Sequence, residues 1–242
     1  MASYQLTKIQ EYDGHGGPAS EVMGGDNHPK TSTTPGRYVV GAIEKHVSYG
    51  KYKGWSGVAW GTEMRLLGDV VMVKKGGSWI RLSEVNSEWG KFKGKEKDLT
   101  AQIKRAYHSF YNKLIVPDRW VFNDFGHVSV KYFVDRNKNW KMDGKEGFLG
   151  DFIHTTPGDE ARVALKQPIV LSESHGCIHV KPFDIDTLIG NGYIKKGHTI
   201  EVHPYSEMLV ANNLVRNHAR PPYEVHFYPG AFKIAVYRIV QK

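Results

Sequence analysis

The sequence is poor in cysteine, with one, Cys177, in 242 residues. A single thiol excludes an internal disulfide and a four-cysteine zinc site. Long hydrophobic runs are also missing: no apolar stretch approaches the ~20 residues that cross a bilayer, so membrane insertion is not expected. The first part of the chain carries Glu11, Asp13 and Glu21 instead of an apolar run, so no cleavable secretory signal is read there. No fixed-period repeat and no low-complexity tract interrupts the chain. With 40% hydrophobic and 24% charged residues, the composition is that of a folding chain and excludes general disorder. A formal charge of +8 suits an anionic partner such as nucleic acid, lipid headgroups or an acidic wall polymer. Lys91, Lys93, Lys95 and Lys97 bring no recognised nucleic-acid motif with them, so nucleic acid is not the expected partner.

At ~150 residues per domain, the length predicts one large domain with embellishments or a domain with an appendage. Gly-, Pro- and polar-rich segments at 13–36, 91–97 and 135–150 punctuate the chain. Between them, 38–40, 69–73, 128–134, 166–171 and 199–203 are short and rich in β-branched or aromatic residues, and read as strands. Residues 224–228 and 232–240 flank Pro229-Gly230 as a hairpin. Leu99, Ile103, Ala106, Tyr107, Phe110, Tyr111 and Leu114 recur at helical spacing after an Asp98 cap, which predicts an amphipathic helix over 99–115. A shorter helix is expected from Pro182 to Gly190-Asn191-Gly192. The predicted class is mainly β, within α+β.

The most informative stretch is Ser172-Glu173-Ser174-His175-Gly176-Cys177-Ile178-His179-Val180. If it is extended, His175, Cys177 and His179 share one face. A thiol among imidazoles is then poised to ionise, because a neighbouring imidazolium lowers its pKa below the usual ~8.5. Gly176 lets a substrate reach the main chain and lets backbone N–H groups face a developing oxyanion. Two other readings stand beside the nucleophile: Cys177 as a small buried hydrophobe, and a His-x-Cys-x-His metal site with His154 as a further ligand.

Ser174-His175-Gly176-Cys177, together with upstream His154-Thr155 and with Thr34-Pro35-Gly36-Arg37-Tyr38, resembles the signature of the L,D-transpeptidases of the YkuD type. The resemblance spans roughly 35–203. It implies a β-sandwich catalytic domain over 35–205 with an insertion near 91–118, leaving 1–34 and 206–242 as extensions. It also implies acyl transfer on the stem peptides of peptidoglycan through a Cys177 thioester. The outcome is transpeptidation, D-amino-acid exchange or L,D-carboxypeptidase hydrolysis, according to what resolves the thioester. His154 takes the general-base role, with His175 as its rival, and the N–H groups of Gly176 and Cys177 form the oxyanion hole. Ser174, Thr155 and His179 are assigned to substrate binding. His179 stands where the family commonly carries asparagine or arginine, and nineteen residues separate His154 from Ser174, more than is usual. No cofactor is expected to be required. Action is expected in the periplasm or cell wall after export by a specialised system. In an interbacterial effector of this type, a cognate immunity protein is the implied partner. The alternative from another class is a wall-binding module with vestigial catalysis.

Asp135, Asn137, Asn139, Asp143 and Glu146 occupy positions 1, 3, 5, 9 and 12 of an EF-hand-like loop, which raises calcium as a ligand. Trp140 stands at position 6, where glycine normally makes the sharp turn, and a solvated polar turn is the competing reading. His108, His127, His198, His203 and His226 read as packed or surface residues. Trp55, Trp60 and Trp89 read as core before they read as sugar platforms.

Overall fold

Short β-branched and aromatic segments build most of this chain. The computed structural model describes residues 3–47 and 53–242. The strands are β1 (Tyr4–Asp13), β2 (Val22–Met23), β3 (Pro29–Lys30), β4 (Gly36–Glu44), β5 (Met64–Leu67), β6 (Val70–Lys75) and β7 (Ser78–Arg81). They continue with β8 (Ser129–Phe133), β9 (Phe148–His154), β10 (Ile178–His179), β11 (Thr199–Val202), β12 (Asn213–Arg216), β13 (Tyr223–Tyr228) and β14 (Lys233–Gln241). The α-helices are α1 (Lys53–Ser56), α2 (Ser87–Gly90), α3 (Glu96–Tyr111), α4 (Pro157–Ala164) and α5 (Pro182–Gly190). With 33% strand and 20% helix, the protein is mainly β, in the α+β class that the patterning predicts.

The chain divides into two compact units. The first comprises 1–43, 130–154 and 170–242. Its sheet has nine strands in the order β10-β9-β8-β4-β11-β13-β14-β1-β12. β9 and β10 run parallel, as do β11 and β13, whereas β11–β4, β13–β14, β14–β1 and β1–β12 are antiparallel. Val40, Val130, Ile153, Ile178, Ile200, Val225 and Val236 are each at most 1% exposed, so the β-branched run of each strand supplies the core. Strands from both segments read as extensions join this sheet. β1 pairs along its length with β14, and β12 pairs on its other edge, because both terminal segments carry strand patterns that need a partner.

The second unit, 44–129 and 155–169, holds the β5–β6–β7 meander with α1 to α4. The predicted insertion at 91–118 is thus part of a unit with its own core. Leu99 and Ile103 of α3 bury against Val71, Val73, Leu82, Trp89, Trp120 and Phe122. α3 begins and ends earlier than 99–115: Glu96 and Asp98 both lie in its first turn, favourable for the dipole, and Asn112 closes it at φ 56°. Trp89 is 3% exposed and Trp55 packs against it, which makes both core residues.

The strand expected at 166–171 does not form. α4 runs into it, Lys166 takes φ 55°, and Pro168 has no N–H to offer a ladder. α4 itself is capped by Thr156, whose hydroxyl accepts the Asp159 N–H at 3.1 Å, with Pro157 in its first turn. That helix accounts for the long interval between His154 and Ser174. Among the described residues, no helix is long and apolar enough to cross a membrane.

Candidate active site

The segment around Cys177 is held in a turn rather than a strand. Regular pairing is confined to Ile178–His179, which run parallel to Ile153–His154. Gly176 sits at φ 120°, in the region that disfavours side chains, and breaks the two-residue alternation before the cysteine. A Cβ at Gly176 would lie 2.8 Å from Asp151 Oδ1 and 2.9 Å from Thr31 Oγ1, so the close approach also demands glycine. The expected common face of His175, Cys177 and His179 is therefore lost at its first member. His175 pairs instead with Asp26, Nε2 to Oδ2 at 3.1 Å.

Cys177 is partly exposed. Its sulfur accepts the Phe152 N–H at 3.4 Å and lies 3.9 Å from the Gly150 carbonyl oxygen, to which the thiol donates. In the β9–β10 register His179 stands beside His154, their rings 5.0 Å apart and edge to face. Cys177 immediately precedes β10, so the sulfur and the His154 imidazole are carried by adjacent strands. His154 is 4% exposed, and its carbonyl accepts the Val180 N–H at 3.1 Å, which pins the two strands beyond the site.

His179 is a structural neighbour with a fixed protonation state. Its Nδ1–H donates to the Ser172 carbonyl at 2.9 Å, and its main chain exchanges two hydrogen bonds with His15. Burial pushes its pKa down to about 4, so the ring is neutral at physiological pH. The unfolded chain protonates near pH 6.5 and the folded chain only near 4, so stability is lost as pH falls through that window. Between pH 7 and pH 4 the loss from this one group is expected to be about 3 kcal/mol. Urea denaturation of the native protein beside His179→Gln measures it; equal pH slopes would refute the assignment.

Ser174 and Thr155 are both buried and hydrogen-bonded within the protein. Ser174, 1% exposed, accepts the Gly176 N–H at 3.0 Å and donates to the Cys177 carbonyl, so its hydroxyl shapes the turn. The Gly176 N–H is thereby committed and does not face an oxyanion. Thr155 is fully buried, and its hydroxyl donates to Glu160. The Thr34-Pro35-Gly36 segment does reach the site: Thr34 N–H donates to Asp151 Oδ2 at 3.2 Å. Burial raises the Asp151 carboxyl above its ordinary value. Nothing in the local pattern singled out Asp151, Phe152 or His15, since they matter through strand pairing.

The loop from Asp135 to Glu146 closes on itself. The Asp135 carboxylate accepts the N–H groups of Asn139 and Trp140, Asn137 and Asn139 amides donate to Asp143, and Glu146 accepts from Arg136 and Asp143. Trp140 adopts φ 59°, the conformation for which position 6 normally uses glycine, so tryptophan does not prevent the turn. β8 rather than a helix precedes it. Trp140 stacks on His218 with ring centroids 4.4 Å apart, which holds the residue in this conformation.

Compared with known proteins, the chain matches no family model, no curated protein and no solved structure.

Among the described residues, the group of histidine and acidic side chains able to hold a metal ion is Glu201, His203 and His226, with donor atoms within 4.8 Å of one another. It is a different set from His175, Cys177 and His179. Arg37 and Arg216 already pair with Glu201, and Arg37 also bridges to Glu224 at 2.8 Å. His203 Nδ1 faces Glu207, His226 Nε2 faces Glu224, and the remaining ring nitrogens face each other at 2.9 Å. Burial and the neighbouring His226 push the His203 pKa below its ordinary value. Both histidines read as packed or surface residues; their carboxylate partners Glu207 and Glu224 are near in sequence, but the His203–His226 contact joins residues twenty-three apart and is made by the parallel β11–β13 pairing.

Proposed function

We propose that the protein is a cysteine acyltransferase acting on peptidoglycan stem peptides, the chemistry of the L,D-transpeptidases that its Ser174-His175-Gly176-Cys177 and His154-Thr155 motifs resemble. The observation that carries this reading is the β9–β10 pairing, which places an accessible sulfur with an N–H donor at the head of one strand and a buried imidazole on its neighbour. That combination is what a thiol nucleophile and its base require.

Cys177 attacks the carbonyl at the L-centre of the third-position diamino acid. An S–C bond forms, the bond to the fourth-position D-alanine breaks, and His154 returns the proton to the leaving amine. The Phe152 N–H steadies the sulfur while it is anionic. With the Gly176 N–H engaged by Ser174, the developing oxyanion falls to the Cys177 N–H. His179, neutral and anchored to Ser172, packs against the edge of His154 and fixes its ring without competing for the proton. His175 takes a surface position through Asp26 and is not the base. The thioester then passes to an amine or to water.

Action in the periplasm or wall follows from this substrate, and in an effector setting a cognate immunity protein would cover Cys177. The test is incubation with a defined disaccharide tetrapeptide, followed by intact-mass detection of an acyl adduct on Cys177 and mass spectrometry of the products. Absence of both adduct and released D-alanine would overturn the reading. Wall binding that persists without any turnover would favour the binding-module alternative.

A further inference from the structure

The second unit contains a cavity of about 240 Å³ whose wall is largely aromatic and whose charged group is a carboxyl, with the Ser109 hydroxyl as a further polar lining group. Trp55, Phe110 and Phe122 line it together with Asp124. The Trp55 and Phe122 rings are 5.4 Å apart at 54°, and Trp55 is braced from behind by Trp89 and Trp120 at 5.1 and 5.8 Å. Phe122 is 2% exposed, so this part of the wall is rigid. Phe110 closes the cavity from the last turns of α3. The position of Asp124 is set by its neighbour: the Asn123 amide donates to the carbonyls of His46, Ser56 and Val58, and its oxygen accepts the Phe125 N–H.

The Asp124 carboxyl has one side-chain donor, the Ser56 hydroxyl at 3.1 Å. No lysine or arginine pairs with it among the described residues. Burial pushes its pKa up to about 7, against the pull of Ser56. A carboxyl so placed is costly while it stands among rings with only the Ser56 hydroxyl and its own backbone N–H as donors. The partner it lacks among the described residues is a cation that can also lie against aromatic faces.

We propose that this cavity binds a primary alkylammonium group, such as the free end of a lysine-like side chain. The carboxylate supplies charge and hydrogen-bond acceptors for the ammonium. The rings add cation–π attraction and cover the methylenes. A neutral sugar would use the ring faces but find one acceptor, and an anion would be repelled. The cavity is smaller than the ~300–1,000 Å³ that takes a drug-sized ligand, which suits the end of a side chain. The proposal stands on this unit alone and does not depend on the chemistry assigned to Cys177.

The experiment titrates the full-length protein with n-pentylammonium, with n-pentanol as its neutral isostere and with N-acetylglucosamine. Calorimetry and the indole N–H resonance of Trp55 report binding. The ammonium is expected to shift Trp55 and to bind about tenfold more tightly than pentanol. Asp124→Asn should remove that advantage while the urea midpoint does not fall, since a costly buried carboxyl is replaced by an amide. Phe110→Leu, at a partly exposed helix position, should weaken the ammonium by about two- to fivefold and pentanol less. The proposal is overturned if pentanol binds as well as the amine, if Asp124→Asn leaves amine affinity unchanged, if N-acetylglucosamine shifts Trp55 in preference to the amine, or if no probe moves that resonance.

Discussion

Cys177→Ala is expected to abolish release of D-alanine from a tetrapeptide stem, with urea denaturation unchanged within about 1 kcal/mol. The stability side follows from position. Cys177 is partly exposed, and its sulfur meets the Phe152 N–H at 3.4 Å and the Gly150 carbonyl at 3.9 Å, both long contacts, so truncation to alanine removes one small side chain at a partly exposed position. The activity side follows from chemistry, since no other thiol exists in the chain to form a thioester. His154→Gln separates base from nucleophile: turnover should fall by about 10²–10⁴-fold, the usual worth of positioned proton transfer, while alkylation still finds the thiol. His175→Gln should cost far less, because that ring is drawn to Asp26. A chromatographic assay for free D-alanine decides all three. Equal activity of Cys177→Ala and the native protein would end the proposal; equal losses for His154→Gln and His175→Gln would end the assignment of the base.

The largest expected loss of stability comes from Arg37→Met. Arg37 bridges Glu224 through both guanidinium nitrogens and also pairs with Glu201, and Glu224 has no exposed side-chain surface. Burial by itself would raise the Glu224 carboxyl, yet hydrogen bonds from His226 and Arg37 hold it below its ordinary value. Removing the guanidinium leaves the fully buried Glu224 carboxylate without its arginine and Glu201 with Arg216 alone. The cost is expected to be about 3 kcal/mol, at the lower end for a broken buried pair because Arg37 is itself 33% exposed. Arg37→Met with Glu224→Gln should recover part of that loss, since the uncompensated charge goes with the carboxylate. Urea unfolding of the single and double variants measures both; an additive double variant would show that the network is not what Arg37 supports.

Strand-rich class, the hairpin around Pro229-Gly230, the helix from Pro182 and the core face of α3 were legible because each depends on residues close in sequence. Period-2 and period-3.6 patterns, proline at a helix start and glycine at its exit act within a few residues. The failures have local causes too. The apparent strand at 166–171 has the composition of one but meets the end of α4 and Pro168. The pairing of β1 with β14, more than two hundred residues along the chain, was not legible because no local pattern encodes it.

The site divides in the same way. By itself the sequence determined that a lone thiol lies between glycine and a branched apolar residue, with histidines on either side, and that the surrounding chain is built from strands. Only the tertiary structure decided how those histidines are placed around the turn that carries the thiol. Gly176 at φ 120° turns His175 toward Asp26, while the parallel register of β9 and β10 brings His154 across from His179. It alone also assembled Arg37, Glu201, Glu224, His203 and His226. The physical reason is that side-chain direction follows backbone conformation residue by residue, whereas proximity between distant strands follows hydrogen-bond register, which the whole sheet sets.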